Sequence, residues 1–536
     1  MKILTAEQMR DVDRLTTENY KVPSALLMEN AAARTVEAVE KKFGAIAGRR
    51  ALIFCGKGNN GGDGAAIARL LVSRGARADV LLLGHVDDAR GDARTNFEVV
   101  RALAASSKQL RLVEIESAEQ LRDAAAMNPP DLIVDAIFGT GLTRPAAGLY
   151  AEAIELINTL GERLPVVAVD VPSGIASDAA ELIGPAVRAR LTVTFTAPKV
   201  ANVLPPACEA NGTLIVGQIG SPDELIAGCG SQLNLVEADE VARWLAASRR
   251  GPQANKGDAG KVLVIAGSSG KTGAACMVGE AAMRSGAGLV TVATPESSQK
   301  VVAAHVISEC MTEALAETAL GAVSREAAER AMELAAARDV VAMGPGLGSS
   351  EETTRAFVRT LVVQRERPMV LDADALNALV PWAENVAGSR EHPLILTPHP
   401  GEMARLMGQK IEDILHNRVE VARQFAISHA VILVLKGSRT LVAAPDGQVY
   451  VNPTGNAGMA TGGTGDVLTG VIAGLLAQKS DDPLAATIAA VYLHGLAGDL
   501  AAAKFGTRAM IATDITAHLG EAFIHVGGET ERFQPA

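Results

Sequence analysis

Aromatic residues are scarce in this 536-residue chain, with phenylalanine, tryptophan and tyrosine together at 3%. Alanine and glycine take their place, as in α/β folds whose helices lie close on a sheet. Cysteine is also sparse. Cys55, Cys208, Cys229, Cys276 and Cys310 are dispersed with no C-x-x-C pair, which argues for reduced thiols and against a disulfide framework or a zinc site. Lysine and arginine form no run and the net charge is −11, so no nucleic-acid surface is expected. Apolar runs are short: even 484–500 is broken by His494 and Asp499, so no membrane span is expected. The opening MKILTAEQMRDVDRLT has no signal-peptide core. Together these absences predict a soluble, cytoplasmic protein.

With 48% hydrophobic and 21% charged residues, a chain of this length is well suited to burial but too long for one core. The first half alternates short apolar runs with helical patterns, and strands are expected at 51–55, 79–83, 132–136, 166–171 and 191–195. The second half restarts the pattern at 261–266 and continues through 289–293, 340–343, 369–371, 394–396 and 431–435. Continuous apolar strands alternating with helices predict mostly parallel sheets covered on both faces. Between the halves lies 221–255, with Ser-Pro and Gly-Pro edges and a helical segment, EADEVARWLAASR. The expected domains are 1–222 and 223–536. They share no period and carry different motifs, which indicates a fusion and not a duplication.

The most informative stretch is GNAGMATGGTGDVLTGVIAG, residues 455–474. Gly462, Gly463 and Gly465 form a turn, Asp466 ends it, and an apolar helical pattern follows. A helix N-terminus offers backbone N–H groups to anions, and glycine lets a phosphate approach them. A carboxylate at such a site is suited to taking a proton from an attacking hydroxyl. The alternative, Asp466 as an ordinary helix cap, is weakened by the other motifs.

In the first half, LIFCGKGNNGGDGAAIARLL reads as strand, glycine turn and helix. Its spacing is not G-x-G-x-x-G, and its turn carries Asn59, Asn60 and Asp63, polar side chains that a simple phosphate cradle does not need. DAIFGTGLTRP (135–145) and VDVPSG (169–174) follow later strand ends. Three loops at the carboxyl ends of parallel strands should gather over one crevice. Asn60, Asp135 and Ser173 are hard oxygen donors suited to a group I or II cation. Asp170 is an acid/base candidate, with the capping of the next turn as the open alternative.

GNNGGDG, DAIFGTGLTRP and DVPSG in this order resemble the epimerase domain of the YjeF family, the NAD(P)H-hydrate epimerases, over residues 10–220. The resemblance implies a Rossmann-like three-layer domain with a mostly parallel sheet. It implies that Asn59, Asn60, Gly61, Gly62 and Asp63, with Gly139, Thr140, Gly141, Leu142, Thr143, Arg144 and Pro145, line the substrate. It also implies K⁺ held by Asn60, Asp135 and Ser173, and Asp170 contacting the substrate as acid/base.

The second half adds GSSGKTGAACMVGEAAMRSGAGLVTVAT (267–294), whose Lys271-Thr272 lacks Walker A spacing, and the glycine turn MGPGLG (343–348). LDADALN (371–377) sets Asp372 and Asp374 after a strand. LTPHPGEMARL places His399 between prolines, and LKGSRTLV supplies a cation and hydroxyls at a strand edge. With GGTGDVL, these motifs resemble the ADP/ATP-dependent NAD(P)H-hydrate dehydratases, a branch of the ribokinase-like superfamily, over 250–520. That resemblance implies a ribokinase-like α/β domain. It implies that Ala274, Gly346, His399 and Asp466 contact the hydrated dinucleotide, and that Lys436, Gly437, Ser438, Arg439, Thr440 and Gly465 contact the adenine nucleotide.

The whole chain is thus similar to bifunctional NAD(P)H-hydrate repair enzymes. The resemblance implies NADH or NADPH hydrate as substrate, ADP or ATP as co-substrate with Mg²⁺, and Asp466 as base. A symmetric homo-oligomer is expected for such α/β domains. Two rival readings are a vitamin-type alcohol kinase in the second half and a non-catalytic scaffold in the first. TPHPGEM with KGSRT argues against the former, and intact Asp170, Asn60 and Asp135 against the latter.

Overall fold

The computed structural model describes residues 1–527 apart from 384 and 480. The chain divides into two compact units, Met1–Leu233 and Asn234–Ala536. This division falls later than the expected 222/223 boundary because the helix Asp223–Ala227 stays with the first unit. Leu225, Ile226 and Cys229 pack against Met9 and Val12, and Ser231 Oγ donates to Ile3 O at 2.6 Å.

In the first unit seven parallel strands form one sheet: β1 (Arg50–Cys55), β2 (Arg77–Leu83), β3 (Leu110–Ile115), β4 (Leu132–Ala136), β5 (Val166–Val169), β6 (Leu191–Phe195) and β7 (Thr213–Gly217). Their order is β3-β2-β1-β4-β5-β6-β7, the order of dinucleotide-binding sheets with one further strand. Alternate residues feed two cores. Ile53, Val80 and Val134 enter the cluster on one face, while Leu52, Phe54, Leu81 and Ile133 enter the cluster on the other. Both faces are therefore covered, which is why these strands read as unbroken apolar runs. The chain reverses its direction of travel across the sheet between β1 and β4. The loops after these two strands open where such sheets bind ligands.

Among the described residues, the sheet of the second unit has ten strands, the first of them starting at the boundary residue: β8 (Leu233–Leu235), β9 (Lys261–Ile265), β10 (Leu289–Pro295), β11 (Met311–Leu315), β12 (Val340–Met343), β13 (Met369–Leu371), β14 (Leu394–Leu396), β15 (Ile432–Leu435), β16 (Leu441–Ala443) and β17 (Val449–Val451). The order is β11-β10-β9-β12-β13-β14-β15-β16-β17-β8. Strands β11 to β15 run parallel, and β16 and β17 add antiparallel pairings. The helix Pro483–Phe505 is long and apolar enough to cross a membrane by composition, but 67% of that window is buried inside the unit. It packs against the helices Thr464–Gln478 and Ala512–Gly527 and serves as a core helix.

The helix Thr464–Gln478 also lies against Thr272–Arg284, and glycine sets that approach. A Cβ on Gly470 would stand 2.4 Å from Val278 O and 2.7 Å from Ala281 Cβ. Alanine is favoured over glycine inside a helix by about 0.5–1 kcal/mol, but overpacking of a close contact costs about 1–3 kcal/mol. Packing should win. Gly470→Ala is expected to destabilise the second unit by about 1–2 kcal/mol, read as a lower denaturant midpoint at unchanged slope. A raised midpoint would contradict the close-approach argument.

Candidate active sites

In the first unit, the turn after β1 leads into the helix Asn59–Ser73. Glycine is required there by contact. A Cβ on Gly61 would fall 1.8 Å from Gly56 O, and one on Gly62 would fall 2.7 Å from Ala93 Cα. Gly61 and Gly62 thus shape the turn, and Asn59, Asn60 and Asp63 present side chains from it. A cavity of about 810 Å³ opens over the strand ends, and Asn59, Asn60, Asp63, Gly139, Thr140, Gly141 and Asp170 are among its walls. Leu142, Thr143, Arg144 and Pro145, expected beside them, are not among its lining residues; Leu142 is buried, and Pro145 packs beside Gly184.

Asp170 follows β5 with a left-handed backbone, φ 69°, a conformation that costs a non-glycine residue about 1–2 kcal/mol. Its Oδ1 accepts from Lys199 Nζ at 2.6 Å and from Thr194 Oγ1 at 3.0 Å. Its Oδ2 is turned toward Gly139, where a Cβ would stand 3.0 Å from it and 3.3 Å from Asn60 Oδ1. Asp170 and Asn60 therefore converge on one glycine of the second loop. Lys199 is 1% exposed and also donates to Phe195 O at 3.2 Å.

Asp135 and Ser173, which sequence order separates, are joined directly. Ser173 donates to Asp135 through its backbone N at 2.8 Å and its Oγ at 2.6 Å, and Ile137 N adds a third bond at 3.3 Å. Burial pushes the Asp135 carboxyl up to about 6, against these hydrogen bonds. Ser173 Oγ accepts from Phe138 N at 2.9 Å, tying the pair to the loop that carries Gly139. Asn60 is nine-tenths buried and its Nδ2 has no hydrogen-bond partner. Asn60 Nδ2 is a donor without an acceptor, which fits a polar group of a substrate, while the side-chain oxygens of Asn60, Asp135 and Ser173 are hard donors of the kind a monovalent cation takes.

Lys199 and Asp13, both on the cavity wall, escaped the sequence reading. Lys199 stands in APKVAN after β6 without a recognisable motif, and Asp13 lies on the ordinary amphipathic helix Ala6–Tyr20. Only their positions in space mark them.

In the second unit, the helix Thr464–Gln478 starts after Gly463, whose φ is +94°, and holds Asp466 in its first turn. Burial pushes the Asp466 carboxyl up to about 6, with Asp372 adding to the rise and Lys436 opposing it. Lys436 Nζ is 2.7 Å from Asp372 Oδ1 and 3.9 Å from Glu402 Oε2. Burial works against its charge, but Asp372 and Glu402 outweigh that and hold its pKa above the usual lysine value. Thr469 Oγ1 donates to Asp372 Oδ2 at 3.0 Å. A Cβ on Gly465 would come 3.2 Å from Lys436 Nζ and 3.5 Å from Asp372 Oδ2. Glycine thus brings the lysine against the helix N-terminus, which joins the GTGD and KGSRT motifs in one place.

The loop after β15 adopts positive φ at Gly437 (+141°) and Arg439 (+55°). Arg418 Nη1 braces it by donating to Ser438 O at 2.8 Å, and Thr440 Oγ1 donates to Gly437 O at 2.9 Å. Arg439 Nη1 donates to Pro453 O at 2.9 Å. His399 caps the helix Pro400–Met407: its Nδ1 accepts from Gly401 N at 3.0 Å and Glu402 N at 3.4 Å. The remaining ring nitrogen therefore carries the proton, and burial first of all lowers the His399 pKa. A Cβ on Gly346 would lie 3.0 Å from Ala274 Cβ, so these two small residues adjoin. Asp374 anchors their loop by accepting from Gly348 N at 2.8 Å and Ser349 Oγ at 3.1 Å.

His494 and Asp499, read from the sequence only as breaks in an apolar run, support the glycine turn. His494 Nε2 meets Thr464 O at 3.0 Å. A carbonyl only accepts, so Nε2 carries a proton, and burial lowers this ring's pKa to about 4. Asp499 accepts from Gly455 N and Asn456 Nδ2, both at 2.9 Å.

Residues 24–201 match the family described as YjeF-related protein N-terminus, and residues 262–520 match NAD(P)H-hydrate dehydratase. A bifunctional NAD(P)H-hydrate repair enzyme of Moorella thermoacetica is 46% identical over 518 residues, covering 96% of this chain and 95% of that one. Its counterpart in Escherichia coli is 35% identical over 469 residues, covering 87% and 84%. The crystal structure of the ADP/ATP-dependent NAD(P)H-hydrate dehydratase from Bacillus subtilis, co-crystallized with ATP/Mg²⁺, is 32% identical. It covers 55% of this chain and 98% of its own, with a TM-score of 0.48. With both domain families in this order and full-length relatives at such identity, the chain belongs to the bifunctional NAD(P)H-hydrate repair enzymes, an epimerase unit followed by a dehydratase unit.

Proposed function

We propose that the second unit dehydrates the (S) hydrate of NADH or NADPH through a phosphorylated intermediate, and that Asp170 of the first unit interconverts the (R) and (S) forms. The observation that carries the first part is Asp466 at a glycine-built helix N-terminus with Lys436 against Gly465. Water added across the C5–C6 bond of the nicotinamide leaves an alcohol at C6, and hydroxide is a poor leaving group near neutral pH. Asp466 takes the hydroxyl proton as the oxygen attacks the terminal phosphorus of ADP or ATP, and the bridging P–O bond breaks to release AMP or ADP. The helix N-terminus and Lys436 stabilise charge on the moving phosphoryl group. The ring nitrogen's lone pair then expels phosphate from C6, and loss of a C5 proton restores the dihydronicotinamide. His399, Ala274 and Gly346 face the hydrated dinucleotide in this reading, and Lys436–Thr440 with Gly465 face the adenine nucleotide.

Mg²⁺ would arrive with the nucleotide and keep most of its water, because Asp372 is already taken up by Lys436 and Thr469. Its chemistry there is to neutralise phosphate charge. In the first unit, Asn60, Asp135 and Ser173 would hold a monovalent cation such as K⁺. One formal charge among neutral oxygens gives little to a divalent ion that resists dehydration. Such an ion would keep the three loops in register for the substrate.

Asp466→Ala should lower (S)-hydrate dehydration by about 10²–10⁴-fold and leave epimerisation intact, measured by recovery of dihydronicotinamide absorbance with ADP or ATP. Asp170→Ala should do the reverse, leaving the (R) form to persist while the (S) form is consumed.

The dehydration rate should also show an acid limb near pH 6, since Asp466 must be ionised to act and burial holds its carboxyl at about 6. Lys436 is the cation that pulls this value down, so Lys436→Met should move the limb to higher pH as well as weaken nucleotide binding. A limb that stays in place would separate Lys436 from Asp466.

A further inference from the structure

The epimerase cavity holds more titratable groups than one acid/base residue uses. Asp13, Asp63, Asp170 and Lys199 all line it. Asp170 receives an ammonium and a hydroxyl on Oδ1, which leaves Oδ2 free and suits it to be the base. Asp13 differs in every respect. It comes from the helix Ala6–Tyr20, outside the matched segment 24–201, and its buried Oδ1 has no hydrogen-bond partner. Asn60 Nδ2 is the second buried polar atom in this cavity without a partner. Unpaired buried polar atoms on separate elements mark where a ligand's own polar groups complete the bonding.

The chemistry calls for two such groups. C6 of the hydrate bears both the hydroxyl and the ring nitrogen N1. It inverts when the C6–O bond breaks, the N1 lone pair forms C6=N1, and water adds to the other face. The departing hydroxyl must gain a proton to leave as water, and the incoming water must lose one. Departure and addition occur on opposite faces of the ring, so a carboxylate placed on one face serves only one of the two transfers.

Resting on the reading of this unit as an epimerase, we propose that Asp13 is its second proton-transfer residue, donating to the departing hydroxyl while Asp170 takes the proton of the incoming water. After one turnover the two have exchanged protonation states, and the same pair runs the reverse direction. Burial supports the assignment, because it pushes the Asp13 carboxyl up to about 6, with Lys199 pulling it back and Asp170 pushing it further up. Asp63 is also held well above the usual carboxylate range, by burial and then by Asp170 and Asp13; what sets Asp13 apart from it is the buried Oδ1 without a partner.

The test uses the full chain without ADP or ATP, so that dehydration is silent, and follows conversion of the purified (R) hydrate by chromatography. Asp13→Asn should lower kcat by about 100-fold or more with KM within about threefold, and Asp13→Glu should recover about a tenth of the parent rate. In ¹⁸O-water the parent should place one solvent oxygen at C6 per inversion. Epimerisation by Asp13→Asn at near the parent rate overturns the proposal. So does an Asp13→Glu chain as inactive as Asp13→Asn, or inversion without ¹⁸O. If Asp13→Asn fails to fold, the Asp13→Glu rate and the isotope result decide the matter. A parent chain that leaves the (R) hydrate unchanged overturns the epimerase reading itself, whereas an active parent with an active variant overturns the role of Asp13 alone.

Discussion

A buried ammonium held against a buried carboxylate organises each unit: Lys199 on Asp170 in the first, Lys436 on Asp372 in the second. Such pairs are poor devices for stability. Removing one partner typically costs about 3–5 kcal/mol, yet replacing both with apolar residues is often neutral or better. Their placement explains them. Each stands beside strand-end loops, and each leaves a carboxyl, Asp170 Oδ2 or Asp466, facing where a ligand would sit. The lysine fixes the charge and direction of the groups around it. In the first unit Asp170 also bears a left-handed backbone, the kind of local strain that concentrates at functional sites.

Sheet topology brings these groups together. In both units the parallel strands deliver their following loops to one end. In the first, the reversal between β1 and β4 separates two crossovers and leaves a crevice. Glycine then decides how close the loops come. Gly61 closes the turn on Gly56, Gly139 admits Asp170 and Asn60, and Gly465 admits Lys436. In each case a methyl group would occupy space taken by a backbone or charged atom. The abundance of glycine and the scarcity of aromatics are two aspects of one design, in which helices and loops lie close on the sheet.

The central strands were legible in the sequence because both of their faces are buried. The runs at 51–55, 132–136, 340–343 and 394–396 appear as strands with these cores or extended by a residue. The strands β3, β7 and β11 were missed for the opposite reason. They lie at sheet edges and show half-exposed patterns, so no continuous apolar run announces them. The short β16, β17 and β8 gave too few residues for any period to emerge. Site residues divide similarly. Motif-bound Asp170, Asp135, Ser173 and Asp466 were visible, since glycine and polar residues cluster around them. Lys199, Asp13 and Arg418 were not, because each is a single charge in an otherwise regular element and acquires meaning only from what it faces.

The charges around the two sites also account for the division of labour between them. The epimerase cavity sets Asp13, Asp63 and Asp170 against one buried lysine. A ring that gains positive character as its C6–O bond weakens would be stabilised by Asp170, and Arg10, Arg14 and Lys57, also among the lining residues, suit the phosphates of the dinucleotide. The dehydratase site is arranged around an anion. A helix N-terminus and a lysine that stays charged despite burial favour an anion, with one carboxyl poised to lose and regain a proton. In the proposed mechanisms both units weaken the bond from C6 to oxygen with help from N1, and they differ in what leaves: water in the first and phosphate in the second.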